Sequence, residues 1–137
     1  MFQSPTAISS PITIIIGNEA SDLDSIVSSI ALAFFFNHSE QGIPLDNRYL
    51  PILNINRSDL CLRTETTWLF SKLASNVQLD DLFLFIEDEA VIKLIEHAKK
   101  NQFSVILTDH NRLAEHQSKA FQDHITHIFD HHFPENL

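Results

Sequence analysis

Short β-branched runs alternate with longer stretches of helical periodicity along this chain, an order that few folds accommodate. Thr13-Ile14-Ile15-Ile16, closed by Gly17, reads as a buried strand. Asp24 to Phe36 places Ile26, Val27, Ile30, Ala31, Phe34 and Phe35 at helical spacing, and Ser21 with Asp24 suits the start of that helix. Gln41 to Arg48, with Gly42 and Pro44, reads as a loop. Tyr49 to Ile55 is a second strand, in which Pro51 argues for an edge position or a strand start. Thr64 to Ala74 reads as a helix with Trp68, Leu69 and Leu73 on one side. Leu82 to Ile86 is a third strand and Glu89 to Lys100 a helix ending in two lysines. Phe103 to Thr108 is a fourth strand, ended by Asp109. A polar stretch of helical character runs to about His124, and His127-Ile128-Phe129 is a short fifth strand before Asp130. The expected fold is therefore α/β: one unit with a mostly parallel β-sheet and helices on both faces.

In open parallel sheets, chemistry collects in the crevice at the carboxyl ends of the strands. Three polar clusters fall there: Asn18 to Asp24 after the first strand, Asp109 after the fourth, and Asp130-His131-His132 after the fifth. Asp22 and Asp24 straddle a strand-to-helix turn, where two carboxylates can address neighbouring cations, and hard oxygens suit Mg²⁺ or Mn²⁺. The same acids also suit helix capping. Asp109 is placed to bridge two cations, or to cap a turn. Imidazole can ligate Mn²⁺ or Zn²⁺ through one nitrogen while a carboxylate orients the other, and Asp130 supplies such a partner. Surface histidine is the plainer alternative for the pair.

The formal charge of −9 argues against a long phosphate-binding track for nucleic acid, so a phosphorylated substrate would need divalent cations as its positive charge. No apolar run is long enough to span a bilayer, and the amino terminus lacks the marks of a secretory signal. The single cysteine, Cys61, is expected to be a small packing residue in a reducing compartment, which makes a cytoplasmic location the default.

GNEASDLDS, LTDHN and FDHHF, in this order, resemble the first three motifs of the DHH phosphoesterase superfamily. Asn18 stands where pyrophosphatases of this superfamily carry histidine, and PILNINRSDLCLRTE resembles the segment between the first two motifs of the exopolyphosphatase/prune branch. The resemblance runs from about Thr13 to Pro134 and implies a Rossmann-like domain that binds two divalent ions, Mg²⁺ or Mn²⁺. By it, Asp22 ligates one metal, Asp24 and His131 the other, and Asp109 bridges them. His132 would lie near the phosphate, with Asp130 orienting the pair. Asn18 would be a weak ligand or a supporting residue, shifting preference from Mn²⁺ towards Mg²⁺. Asp109, His131 and His132 would carry catalysis. The implied reaction is two-metal hydrolysis of a phosphoanhydride, releasing phosphate from inorganic polyphosphate.

Members of the superfamily continue with a fourth motif and a carboxyl-terminal substrate domain. Residues 1–137 therefore resemble the amino-terminal part of the DHH domain, and the sheet is expected to be incomplete, with an exposed edge or apolar face. Alternatives are a phosphodiesterase acting on cyclic nucleotides or oligonucleotides, and a prune-like binding protein that works through protein partners. A zinc protein using His124, His127, His131 and His132 is a further one.

Overall fold

A computed structural model of the chain describes residues 11–38, 48–97 and 103–134. Five strands form one sheet in the order β3-β2-β1-β4-β5: β1 (Ile12–Ile16), β2 (Arg48–Leu53), β3 (Leu84–Phe85), β4 (Phe103–Thr108) and β5 (Ile125–Phe129). Every pairing is parallel. The crossovers are α1 (Leu23–His38), α2 (Thr64–Leu73), a one-turn α3 (Leu79–Leu82), α4 (Glu89–His97) and α5 (Glu115–Phe121), with 3₁₀ turns at Arg57–Leu62 and Gln122–His124. The strand order reverses between β1 and β4, where a doubly wound sheet opens its crevice.

The two faces of the sheet carry separate cores, as strand alternation requires. Ile14, Ile16, Val105 and Leu107 turn towards α4 and α5, packing with Val91, Leu113 and Phe121. Ile15 and Ile106 turn the other way, onto Ala33 of α1. Beside them, Ile26 packs with Leu53, Leu60, Phe83 and Phe85, and Phe70 of α2 joins from the rim. Helices thus cover both faces. Each fully buried isoleucine contributes roughly 1.5–3 kcal/mol relative to exposure.

Several expectations change in detail. Pro51 lies in β2, an interior strand rather than an edge. Arg48 N–H donates to Pro11 O and Tyr49 N–H to Asn37 Oδ1, so alternate residues of β2 turn their N–H away from β1. Pro51 falls on this outward parity, and β3 pairs only from Ile52 onward, so the missing donor breaks no ladder. The third strand shortens to two residues because Leu79–Leu82 winds into a helical turn. α2 turns Thr66 and Phe70 inward, leaving Trp68 and Leu73 64% and 71% exposed. α1 buries Ser25, Ile26, Ser29 and Ala33, while Val27, Phe34 and Phe35 face outward. Small residues are selected where the helix axis approaches the sheet. Cys61 is exposed rather than packed. The helix after β3 is described to His97; its expected end at Lys100 and most of the Gln41 to Arg48 loop lie outside the described residues. Among the described residues β5 pairs only with β4, and Ile128 and Phe129 on it are exposed. Among the described residues, no helix is long and apolar enough to cross a membrane.

Candidate metal centre

Gly17 ends β1 where α1 comes closest. A Cβ on it would sit 2.1 Å from Ser25 Oγ, so only glycine admits the helix at this distance. The Ser25 hydroxyl accepts the Asn18 N–H at 2.8 Å. The Asn18 side chain then works in two directions: Oδ1 accepts the Ser21 N–H at 2.9 Å, and Nδ2 donates to Asp109 Oδ2 at 2.9 Å. Ser21, at φ 43°, turns its hydroxyl back to Asn18 O. The expected Ser21–Asp24 capping pair is therefore replaced. Asp22 stands at the start of α1 instead: its carbonyl accepts the Ile26 N–H, and the Ser25 N–H near its carboxylate favours the charged form.

Asp109 follows β4 in the left-handed region, φ 60°, a conformation that aspartate tolerates better than most residues. Its N–H donates to Phe129 O at 2.9 Å, extending the β4–β5 ladder and drawing the next cluster alongside. The Asp109 side chain is 6% exposed. His131 Nε2 lies 3.0 Å from Asp109 Oδ1. Asp130 Oδ1 receives both the N–H and Nδ1 of His132, the ring contact at 2.6 Å. Asn111 Nδ2 donates to the other Asp130 oxygen at 2.5 Å and to Phe133 O at 3.1 Å. Asp130 thus orients His132, while His131 belongs to Asp109.

The three clusters meet as the sheet topology demands. Ligand atoms of Asp22, Asp24 and Asp109 lie within 4.8 Å of one another, as do those of Asp109, His131 and His132. The Asp109 carboxylate is common to both groups. The donor set fits divalent ions that accept oxygen and imidazole ligands. Electrostatics agree: burial, then a hydrogen bond and charge from Asp24, then the Asp109 charge push the Asp22 carboxyl up, against the Ser25 N–H. Crowded carboxylates of this kind are relieved by a cation. Burial raises the Asp130 carboxyl, but the His132 and Asn111 hydrogen bonds outweigh it and hold it low. The same His132–Asp130 bond raises the imidazole.

The zinc alternative separates in space. His124 packs edge-on against Phe103 and His127 stacks on Phe129, and neither joins a ligand group among the described residues. Asn111 is a supporting residue whose role the sequence did not single out, although it stands in the LTDHN cluster. Asn54 and Gln117 carry no sequence signal, because a polar residue after a strand and another on a polar helix make no distinctive pattern. Beside the centre opens a cavity of about 730 Å³, walled by the 109–115 loop, Glu19, Ser118, Gln122 and His132.

Comparison with known proteins places the chain in a family. Residues 12–137 match the family described as DHH family, N-terminal domain. Over 123 residues the chain is 32% identical to exopolyphosphatase PRUNE1 of Rattus norvegicus and of Homo sapiens, covering 90% of this chain and 25% of each relative. Over 133 residues it is 34% identical to a putative exopolyphosphatase of Schizosaccharomyces pombe, covering 96% of this chain and 32% of that protein. The chain therefore spans about a quarter to a third of the length of these relatives.

Proposed function

Because the chain belongs to the DHH family, we propose that it is the catalytic metal-binding part of an exopolyphosphatase/prune-type hydrolase, removing terminal phosphate from inorganic polyphosphate with two Mg²⁺ or Mn²⁺ ions. One observation carries this reading: a single buried carboxylate, Asp109, is shared by two groups of metal-ligand type. The names of the relatives, exopolyphosphatase in each case, support the substrate class. A setting with reduced thiols, such as the cytoplasm, suits the lone exposed Cys61.

By the family resemblance Asp22 would hold one cation, Asp24 and His131 the other, and Asp109 both, whereas the structure groups Asp22 and Asp24 on one side of Asp109 and His131 and His132 on the other. Bound cations supply Lewis acidity, acidifying water and offsetting phosphate charge. The protein's own groups position and donate. Asn18 fixes Asp109 by donating to Oδ2, which supports an orienting role rather than that of a weak ligand. Asp130 takes His132 Nδ1, leaves the other ring nitrogen for a phosphate oxygen and favours the imidazolium form that donates to it. The cavity beside the centre admits the anion from the 109–115 side.

Calorimetric titration of the 137-residue chain with Mn²⁺ and Mg²⁺, beside Asp109→Asn, tests the reading. Asparagine tolerates the left-handed backbone at this position while removing the shared charge. Uptake by the wild type that is lost in the variant, followed by phosphate release from polyphosphate, is the expected result. A well-folded wild type that takes up neither ion overturns the metal centre and leaves the prune-like binding protein.

A further inference from the structure

Helix α5 is connected to the candidate centre by a chain of buried hydrogen bonds that no ligand role explains. Gln117 and Asn54 are each 5% exposed. Gln117 Nε2 donates to Asn54 Oδ1 at 2.5 Å, and Asn54 Nδ2 donates to Gly17 O at 2.9 Å. Gly17 O and Asn18 N–H belong to one peptide unit, and the N–H end is held by Ser25 Oγ. That unit is therefore gripped at both ends, by β2's last turn of chain and by α1. From it departs the Asn18 carboxamide, which donates to Asp109. Among the described residues, buried Gln117 Oε1 meets no hydrogen-bond partner. An unsatisfied buried acceptor is a cost that folding alone would remove by an apolar side chain of similar shape. The amide's other end, by contrast, is engaged, through the bond from Nε2 to Asn54.

We propose that Gln117 and Asn54 are positioning residues, which set the Gly17–Asn18 peptide and through it the orientation of the Asp109 carboxylate. The inference rests on the metal-centre reading above. It adds a helix that touches no ligand group yet governs affinity: α5 lines the cavity beside the centre through Glu115 and Ser118. A one-sided explanation, in which the pair merely packs α5 onto the sheet, predicts loss of stability with no selective effect at Asn18.

The test is Gln117→Met, which keeps length and removes the donor, read by two measurements on the 137-residue chain. Hydrogen exchange on the metal-free protein should show the Asn18 amide exchanging roughly tenfold faster, while the Ile14, Val105 and Leu107 amides keep their relative protection. Manganese affinity should fall by roughly tenfold or more. Unchanged Asn18 exchange overturns the relay, and so does loosened exchange with undiminished affinity. Should Gln117→Met not fold, Asn54→Ser shortens the bridge from its other side and carries the same readouts. A wild type that takes up no Mn²⁺ sinks the metal reading, and this inference with it. That failure appears in the wild type, whereas failure of the relay appears only in the variants.

Discussion

Asn18 Nδ2 lies 2.9 Å from Asp109 Oδ2, a hydrogen bond between residues 91 positions apart in the chain. It crosses the point where the strand order reverses, joining the end of β1 to the end of β4. The bond occupies one oxygen of the shared carboxylate and leaves the other facing His131 Nε2. Orientation of a ligand by a neutral donor is worth about 10–100-fold in metal affinity. Asn18→Ala should therefore weaken Mn²⁺ binding by that factor in calorimetry, with Asp109 and the histidines untouched. An affinity equal to wild type would deny Asn18 this role.

Gly17 is predicted to be intolerant for a steric reason alone. Gly17→Ala places a methyl group 2.1 Å from Ser25 Oγ and 3.1 Å from Ser25 O, so α1 must shift. Overpacking of this kind costs about 1–3 kcal/mol, measurable as a lower midpoint in urea. Adding Ser25→Ala removes the nearer clash and should recover part, but not all, of the loss.

The Arg57–Asp88 pair predicts a pH dependence. Arg57 Nη2 meets both Asp88 oxygens at 2.8 Å, and Asp88 also accepts the Phe85 N–H. Burial raises the Asp88 carboxyl, but these partners outweigh it and leave it lowered from 3.8. A lowered folded-state value means that the unfolded chain takes up the proton first. The stabilisation is complete above the ordinary carboxylate value and is lost as pH falls through the lowered one. With Arg57 partly solvated, 38% exposed, the pair is worth roughly 1 kcal/mol. Asp88→Asn should lower the urea midpoint at pH 7 and flatten its decline below about pH 4. Parallel wild-type and variant curves over that range would exclude the linkage.

Two faces of α1 should respond in opposite ways. Ile26 is 2% exposed, and Ile26→Ala should cost about 2–5 kcal/mol. Phe34 and Phe35 are 64% and 61% exposed, so Phe34→Ser and Phe35→Ser should change stability by no more than about 0.5 kcal/mol in this chain. Thermal denaturation of the three variants decides the matter. A large loss from either phenylalanine would mean that this face is covered in solution.

How much of this was readable beforehand follows from local physics. β4 was bounded at Phe103 and Thr108 because a strand covered on both faces is a continuous apolar run, with a polar residue wherever it leaves the sheet. The same rule located all three clusters at strand ends, and the alternation of strands and helices brought them to one edge. Periodicity marks α1 as a helix but not its inward face. Ile26 and Ile30 on one side compete with Val27, Phe34 and Phe35 on another, and periodicity does not say which of two apolar stripes meets the sheet.

Sequence by itself determined most of the element types, the parallel sheet and the approach of the three polar clusters at one edge, because these depend on side-chain periodicity and chain order. Tertiary structure alone decided which atoms face which. Asn18 presents its amide nitrogen, not its oxygen, to Asp109; Asp130 takes His132 and leaves His131 to Asp109; and Asn54 meets Gln117 across the fold. Hydrogen-bond partners of this kind are chosen by distances of a few tenths of an ångström between residues far apart in the chain, and local sequence carries no record of those distances.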